Sequence, residues 1–355
     1  MKIFPWWSLG FPLLALLLLG ANKILHFDGF ALLLLVAALG GTVFSAVHYA
    51  EVVAHKVGEP FGTLVLAVAV TVIEVALIVS VLISAGNENT AVARDTIFSA
   101  IMIVCTGVVG LCAAVGAGRH MEQGLNIMGT NGALGVLIAL SVLTLVLPDF
   151  TATPGPTFTT HQLEFVGVVS LALYCIFVFV QTVRHRDYFL PESDDAEAHH
   201  PPPPTGKVLV AMGVLLVCLV AVVALAKSLS PTVEAFVDQS GLPKSVVGLV
   251  IAGLVLLPES LAAVRAALHN KLQTSMNLAF GSVIASIGLT IPVVAAVSIW
   301  MGQPLTLGLD QKEIVLLALT LLLSMMTVAT GRTTILQGAI HLTVFAVFLF
   351  FAVVP

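Results

Sequence analysis

Two glutamates stand where water is scarce. Glu74, in Thr71-Val72-Ile73-Glu74-Val75-Ala76-Leu77, and Glu259, in Val255-Leu256-Leu257-Pro258-Glu259-Ser260, each lie well inside a long apolar run. Roughly a dozen helical residues on either side of Glu74 put it about 18 Å from each end of its span. A charge at that depth costs about 2.5–3.5 kcal/mol on insertion scales, so the carboxylate either takes a proton or finds a cation. A group that does each in turn is the minimum machinery for exchange, because proton and metal cannot hold the same negative site together. No other carboxylate is expected to lie as deep.

The neighbouring residues are oxygen donors. Thr71 precedes Glu74 by three residues and shares its helical face. Pro258 removes a backbone donor just before Glu259 and frees the carbonyl of Leu254 or a neighbour. The segment Gly281-Ser282-Val283-Ile284-Ala285-Ser286 offers two hydroxyls, and Ser99 is the counterpart in the first half. Carboxylate, hydroxyl and carbonyl oxygens suit calcium or alkali cations rather than soft metals. The expected cation- and proton-binding set is therefore Glu74, Glu259, Thr71, Ser99, Ser282 and Ser286, with Glu74 and Glu259 as the metal ligands proper.

Weaker candidates surround this set. His48, Glu51 and Glu234 are read as access or gating residues near the membrane surface; Glu51 reads equally well as a helix cap or a partner of Lys56. The spacing of His48, Glu51 and His55 is H-x-x-E-x-x-x-H, which is not the H-E-x-x-H of zinc proteases. His341 reads as a helix–helix hydrogen bond. Cys105, Cys112, Cys175 and Cys218 all fall in apolar stretches without a C-x-x-C pair and read as small buried hydrophobes. No nucleophile or metal constellation has the spacing of an enzyme, and no cofactor is expected beyond a transported cation.

The elements that must hold these residues are membrane helices. The 355 residues are 59% hydrophobic and 9% charged, where a water-facing domain carries about 25% charged residues. Such a chain suits a bundle whose outer wall meets lipid. A net charge of -5 and the lack of any basic stripe exclude nucleic acid as a partner. Eleven apolar spans are predicted, at 8–22, 28–54, 60–86, 93–117, 130–148, 162–184, 207–228, 243–268, 274–301, 312–329 and 334–353. The first follows Lys2 in a leucine-rich segment like that of a signal peptide, but Asn22-Lys23-Ile24 is a poor cleavage context and an uncleaved span is expected. Residues 185–206, with Pro191-Glu192-Ser193-Asp194-Asp195, His199-His200 and Pro201 to Pro204, read as a solvated linker.

The two halves echo one another. Glu51 to Pro60 and Glu234 to Pro243 both read E, six residues, then G-x-P, at an offset of 183; Ser99 and Ser282 differ by 183 and Glu74 and Glu259 by 185. The chain thus divides into a leading helix (1–27), a first five-helix repeat (28–184), the linker (185–206) and a second five-helix repeat (207–355). An odd number of spans inverts the second copy, the architecture of many secondary transporters with a site near the bilayer midplane. The expected fold class is an all-α membrane protein of about eleven transmembrane helices. With the N-terminus cytoplasmic, Lys2, Lys56, Arg119, Arg184, Arg186, Lys207, Arg265, Lys271 and Arg332 fall inside, against Lys23, Arg94, Lys227, Lys244 and Lys312 outside. That excess favours a cytoplasmic N-terminus in the plasma membrane, the inner membrane of a Gram-negative cell.

Taken together, Gly58-Glu59-Pro60-Phe61-Gly62-Thr63-Leu64, Thr71 to Ile78, Ala93-Arg94-Asp95-Thr96 with Ser99 to Val104, Pro258 to Ala267, Met276-Asn277-Leu278, Gly281 to Ser286, Thr330-Gly331-Arg332-Thr333 and Gly338-Ala339-Ile340-His341-Leu342 resemble the calcium/cation–proton antiporter family over nearly the whole chain. The resemblance implies alternating access, export of the cation driven by protons, and an acidic cytoplasmic linker, which residues 192–197 supply. That family carries G-N-x-x-E in each half. Here Val70-Thr71 and Val255-Leu256 replace the Gly-Asn pairs while both glutamates remain. An amide oxygen is missing from each half, which widens the expected range from calcium to sodium or potassium. The expected partners are the lipid bilayer, these cations and protons; homo-oligomer formation is left open. The alternative reading is a cation channel without proton coupling.

Overall fold

Every predicted span is a helix in the computed structural model, which describes residues 4–25, 30–57, 61–85, 90–153, 155–189, 204–241 and 243–354. Most of the linker, and Gly58-Glu59-Pro60 of the first E…G-x-P echo, lie outside the described residues. Helices α1 (Trp6–Leu25), α2 (Phe30–Val57) and α3 (Phe61–Ala85) form the first three spans. The fourth is α4 (Val92–Met102) and α5 (Val109–His120), joined by a π-helical stretch, Ile103–Val108. Then come α6 (Ile127–Ser141), α7 (Thr160–Phe179), α8 (Thr205–Ser240), α9 (Ser245–Leu268), α10 (Leu272–Met301), α11 (Gln311–Ala329) and α12 (Ile335–Val353). Among the described residues nine helices are long and apolar enough to cross a membrane, and two shorter apolar segments, Trp6–Asn22 and Val68–Ile83, complete the eleven.

The helices assemble into two compact units. One comprises α1, α2, α3 and α8. There α2 packs against α1, α3 and α8. Gly41 lets α2 approach α1 so closely that an added Cβ would sit 2.3 Å from the Phe11 ring. Fully buried Tyr49 shares a 2.8 Å hydrogen bond with Ser8, pinning the start of α1 to the far end of α2.

The other unit holds α4 to α7 and α9 to α12. Its centre is α10, which touches α4, α5, α6, α7 and α9. Two short strands, β1 (Gln123–Gly124) and β2 (Arg332–Thr333), pair antiparallel and tie the α5–α6 turn to the α11–α12 turn. Arg332 adds a 2.6 Å ion pair to Glu122 there. Helix starts are capped by side chains: Asn126 accepts from the amides of Met128 and Gly129, and the Gln162 side chain accepts from the Thr159 amide at 2.9 Å. Each such cap is worth about 1 kcal/mol. His341 joins α12 to α11 by a 2.9 Å hydrogen bond with Thr327, as its sequence context suggested. Cys105, Cys112 and Cys218 are buried, whereas Cys175 is exposed on α7, so the expectation of four buried thiols holds for three.

Candidate functional site

The first glutamate belongs to the α1–α3/α8 unit. Helix α3 is flanked by α2 and α8 and turns one face to each environment. Val68, Val72 and Ile83 are exposed, while Val70, Ile73, Leu77 and Ile78 are buried. Thr71 and Glu74 are on the buried side, at 4% and 3% exposure. A polar pair kept from lipid in an otherwise apolar helix is the arrangement expected of a functional intramembrane carboxylate. On α2, His48 is buried with its ring 5.2 Å from Trp7 and 5.5 Å from Tyr49. Glu51, one turn further on, is exposed. Glu234 falls within α8, but its side chain lies outside the described residues.

The second glutamate belongs to the other unit. Helix α9 runs unbroken through Pro258, whose missing amide leaves the Leu254 carbonyl without its helical donor. Glu259 is 9% exposed, beside buried Pro258, Val255 and Leu256. Helix α9 packs on both α4 and α10, and α4 and α10 also touch. These three helices carry Glu259, Ser99, Ser282 and Ser286. Ser99 and Ser286 are buried; Ser282, one turn before Ser286, is partly exposed. The approach of α9 to α4 depends on Gly248, where a Cβ would stand 2.7 Å from backbone atoms of Asp95 and Thr96.

The chemistry of the donors is uniform. The residues proposed around each glutamate, Thr71, Ser99, Ser282 and Ser286, are all hydroxyl-bearing. Among the described residues no group of three or more His, Cys, Asp and Glu gathers as a metal-binding cluster. Within each unit the buried carboxylate and the hydroxyl residues read with it are hard oxygen donors, and a carboxylate of this kind takes either a proton or a cation.

Sequence reasoning missed one charged pair. Arg94 was counted among the charges outside the membrane, and Asp95, quoted beside it, was given no role. The structure folds both Arg94 and Asp95 into the first turn of α4, where Asp95 is 7% exposed and receives a 2.8 Å hydrogen bond from Arg94 Nε. Arg94 also donates to the Gly308 carbonyl at 3.1 Å. The available signal was spacing: Asp95 precedes Ser99 by four residues and so lies on its face of the helix.

Comparison with known proteins places this geometry. The sequence profile of the sodium/calcium exchanger protein family matches residues 9–183 and 210–354. The Sinorhizobium fredii protein y4hA, a proposed ionic transporter, is 48% identical over 99% of this chain and 97% of its own length. The sodium-potassium/proton antiporter ChaA of Escherichia coli is 37% identical, covering 96% of this chain and 94% of the relative. Among solved structures, native YfkE superposes with a TM-score of 0.75 at 18% identity, over 98% of this chain and 100% of its own. The H+/Ca2+ exchanger CAX gives a TM-score of 0.74 at 16% identity, over 97% and 87%; both likenesses speak to the fold. A profile that spans both halves of the chain, on an eleven-span helical fold with a buried glutamate in each half, means that this chain belongs to the sodium/calcium exchanger protein family.

Proposed function

We propose that this protein is a secondary transporter that exchanges a hard metal cation for protons by alternating access. The observation that carries the reading is the pair of glutamates, Glu74 and Glu259, each buried within its helix at matching positions of the two sequence halves. Ionised, they hold the cation with help from Thr71, Ser99, Ser282 and Ser286; protonated, they release it. The relatives' names are consistent with this: one is a sodium-potassium/proton antiporter and another, from Bacillus subtilis, a Ca(2+)/H(+) antiporter. The protein carries ions rather than transforming a substrate, and its cargo is the only metal the reading requires.

Calcium, sodium and potassium are the candidate cargoes. Thr71 offers a hydroxyl where the family pattern has an amide, and Leu256 offers no side-chain oxygen at all. A site short of neutral ligands leans on its two carboxylates and discriminates less by coordination number. We place the protein in the plasma membrane with its N-terminus cytoplasmic, from the bias of Lys and Arg between loops. His48, Glu51 and Glu234 are proposed as access or gating residues. The test is transport into everted vesicles carrying a pH dye. Adding calcium, sodium or potassium in turn dissipates a preset proton gradient for each cation carried. Cation flux that leaves the gradient untouched would overturn the reading in favour of an uncoupled pathway.

A further inference from the structure

Helix α11 hides hydroxyls where apolar side chains would serve. Six of its residues are buried, Leu317, Thr320, Leu321, Ser324, Thr327 and Val328, and three of these carry a hydroxyl. Thr320, Ser324 and Thr327 follow at i, i+4 and i+7 and so line one helix face. Thr320 sits nine residues from Gln311 and nine from Ala329, about 14 Å from either end. The stripe therefore runs from mid-span to the turn that leads into β2. Small polar residues also serve close packing between membrane helices, so the stripe alone assigns nothing.

His341 of α12 is the independent sign. It is 1% exposed and lies six residues beyond the first residue of α12, Ile335, about 9 Å into the helix. Its Nε2 shares a 2.9 Å hydrogen bond with Thr327. Its Nδ1 is buried and makes no hydrogen bond among the described residues; the Cys105 backbone of the π-helical stretch lies beside it. Joining two helices needs one ring nitrogen. An ionisable ring whose other nitrogen is open, deep in a membrane span, is equipped for proton transfer.

Polar groups continue on both sides of the ring. Toward the surface, exposed Thr330 donates to the Thr327 carbonyl at 2.7 Å, and the Gln337 amide donates to Thr330 at 3.2 Å. Gln337 and His341 are four residues apart and share a face of α12. Toward mid-span, the buried Cys105 thiol lies beside Ser324, and Thr320 donates to the Met102 sulfur at 3.4 Å. Met102 is three residues past Ser99 on α4.

No fixed counter-charge holds a proton on the ring. Helix α12 packs on α5, α11, the π-helical stretch and α9. The π-helical stretch brings Cys105. On α5, Gly110 meets the His341 Cβ, Cys112 lies beside Ser275 of α10, His120 donates to the Leu268 carbonyl, and Arg119 is in the last turn. The charges of α11, Lys312 and Glu313, stand at its opposite end, and those of α9 are Glu259 and Arg265. Arg332 pairs with Glu122 at the turn. His341 is in no ion pair among the described residues.

We propose that this file of groups, with water in it, is a proton path between one membrane face and mid-span, with His341 as its proton-carrying residue. It rests on the exchange reading above and adds a route by which protons enter or leave. On the orientation proposed above, that face is the cytoplasmic one. A proton that arrives on one ring nitrogen is matched by one that leaves the other. The Thr327 hydroxyl likewise accepts one proton and gives up its own, so ring and hydroxyl both end neutral.

The test uses the full-length protein in proteoliposomes of a single orientation, with proton-coupled exchange of calcium, sodium or potassium followed by a pH dye while the pH of each face is varied in turn. His341→Gln keeps a side chain able to bond Thr327 but carries no proton. It is expected to exchange about tenfold more slowly, a fraction of the roughly 10²–10⁴-fold that a positioned proton-transfer group contributes. It also loses one titration step from the rate profile against cytoplasmic-face pH, while the profile against pH at the opposite face and the KM for the cation match the wild type. A histidine that only joins α11 to α12 would lower the melting temperature and leave both profiles alone. Where His341→Gln fails to insert, Ser324→Ala takes its place with little change of volume, and the rate falls with the same dependence on one face. Wild-type profiles in the inserted variant, or equal changes at both faces, overturn the path while the exchange reading stands. A wild type without proton-coupled exchange overturns both.

Discussion

Replacing Gly248 with alanine places a methyl carbon 2.7 Å from the carbonyl carbon and Cβ of Asp95 and from the amide nitrogen of Thr96. Ordinary carbon contacts are about 3.5–4.0 Å, so α4 and α9 must part by about 1 Å, and the offending atoms are mostly backbone that no rotamer change removes. Overpacking of this kind costs about 1–3 kcal/mol. Alanine also gains up to about 1 kcal/mol of helix propensity over glycine, which partly masks the cost. Gly253→Ala on the same helix supplies the control, because its added Cβ meets only the tip of Ile103 at 4.0 Å. The propensity gain cancels between the two variants and the difference isolates the packing. At roughly 2–4 °C per kcal/mol for a unit of this size, Gly248→Ala melts several degrees below Gly253→Ala in detergent, by intrinsic fluorescence. It also transports more slowly, because α9 carries Glu259 away from α4 and Ser99. Equal melting of the two variants would refute the claim that this helix pair is held at glycine distance.

Two further outcomes follow from the same geometry. Thr71→Asn restores an amide oxygen one turn before Glu74, and the ratio of calcium to sodium or potassium affinity rises several-fold in cation competition assays; an unchanged ratio means Thr71 does not coordinate. Thr327→Val removes the hydroxyl that meets His341 at 2.9 Å and costs about 1–2 kcal/mol, the scale of an interhelical hydrogen bond in a membrane, read as a lower melting temperature.

Much of this architecture was legible in the residues. Hydropathy locates all eleven spans because a helix that faces lipid cannot hide its composition, and the edges of α10 and α12 fall within two residues of those expected. The burial of Thr71, Glu74 and Glu259 follows from the cost of a carboxylate in lipid. The π-helical stretch Ile103–Val108 was not legible, since the residues there carry no Pro and a single glycine, Gly107, whose added Cβ would stand 3.3 Å from the Phe345 ring of α12. The pairing of Arg94 with Asp95 was not legible, because Arg94 finds its second acceptor, the Gly308 carbonyl, only in the folded chain. The compact units likewise follow packing rather than chain order, with α8 joining α1 to α3.

In the proposed exchange, two acidic side chains take turns with a proton and a metal ion. The most direct measurement is proton release on cation addition by Glu74→Gln and Glu259→Gln, each inserted in the membrane at parental levels. Both are predicted to lose the exchange entirely, since an amide neither binds the cation by charge nor carries the proton. Parental exchange in either variant would contradict the account.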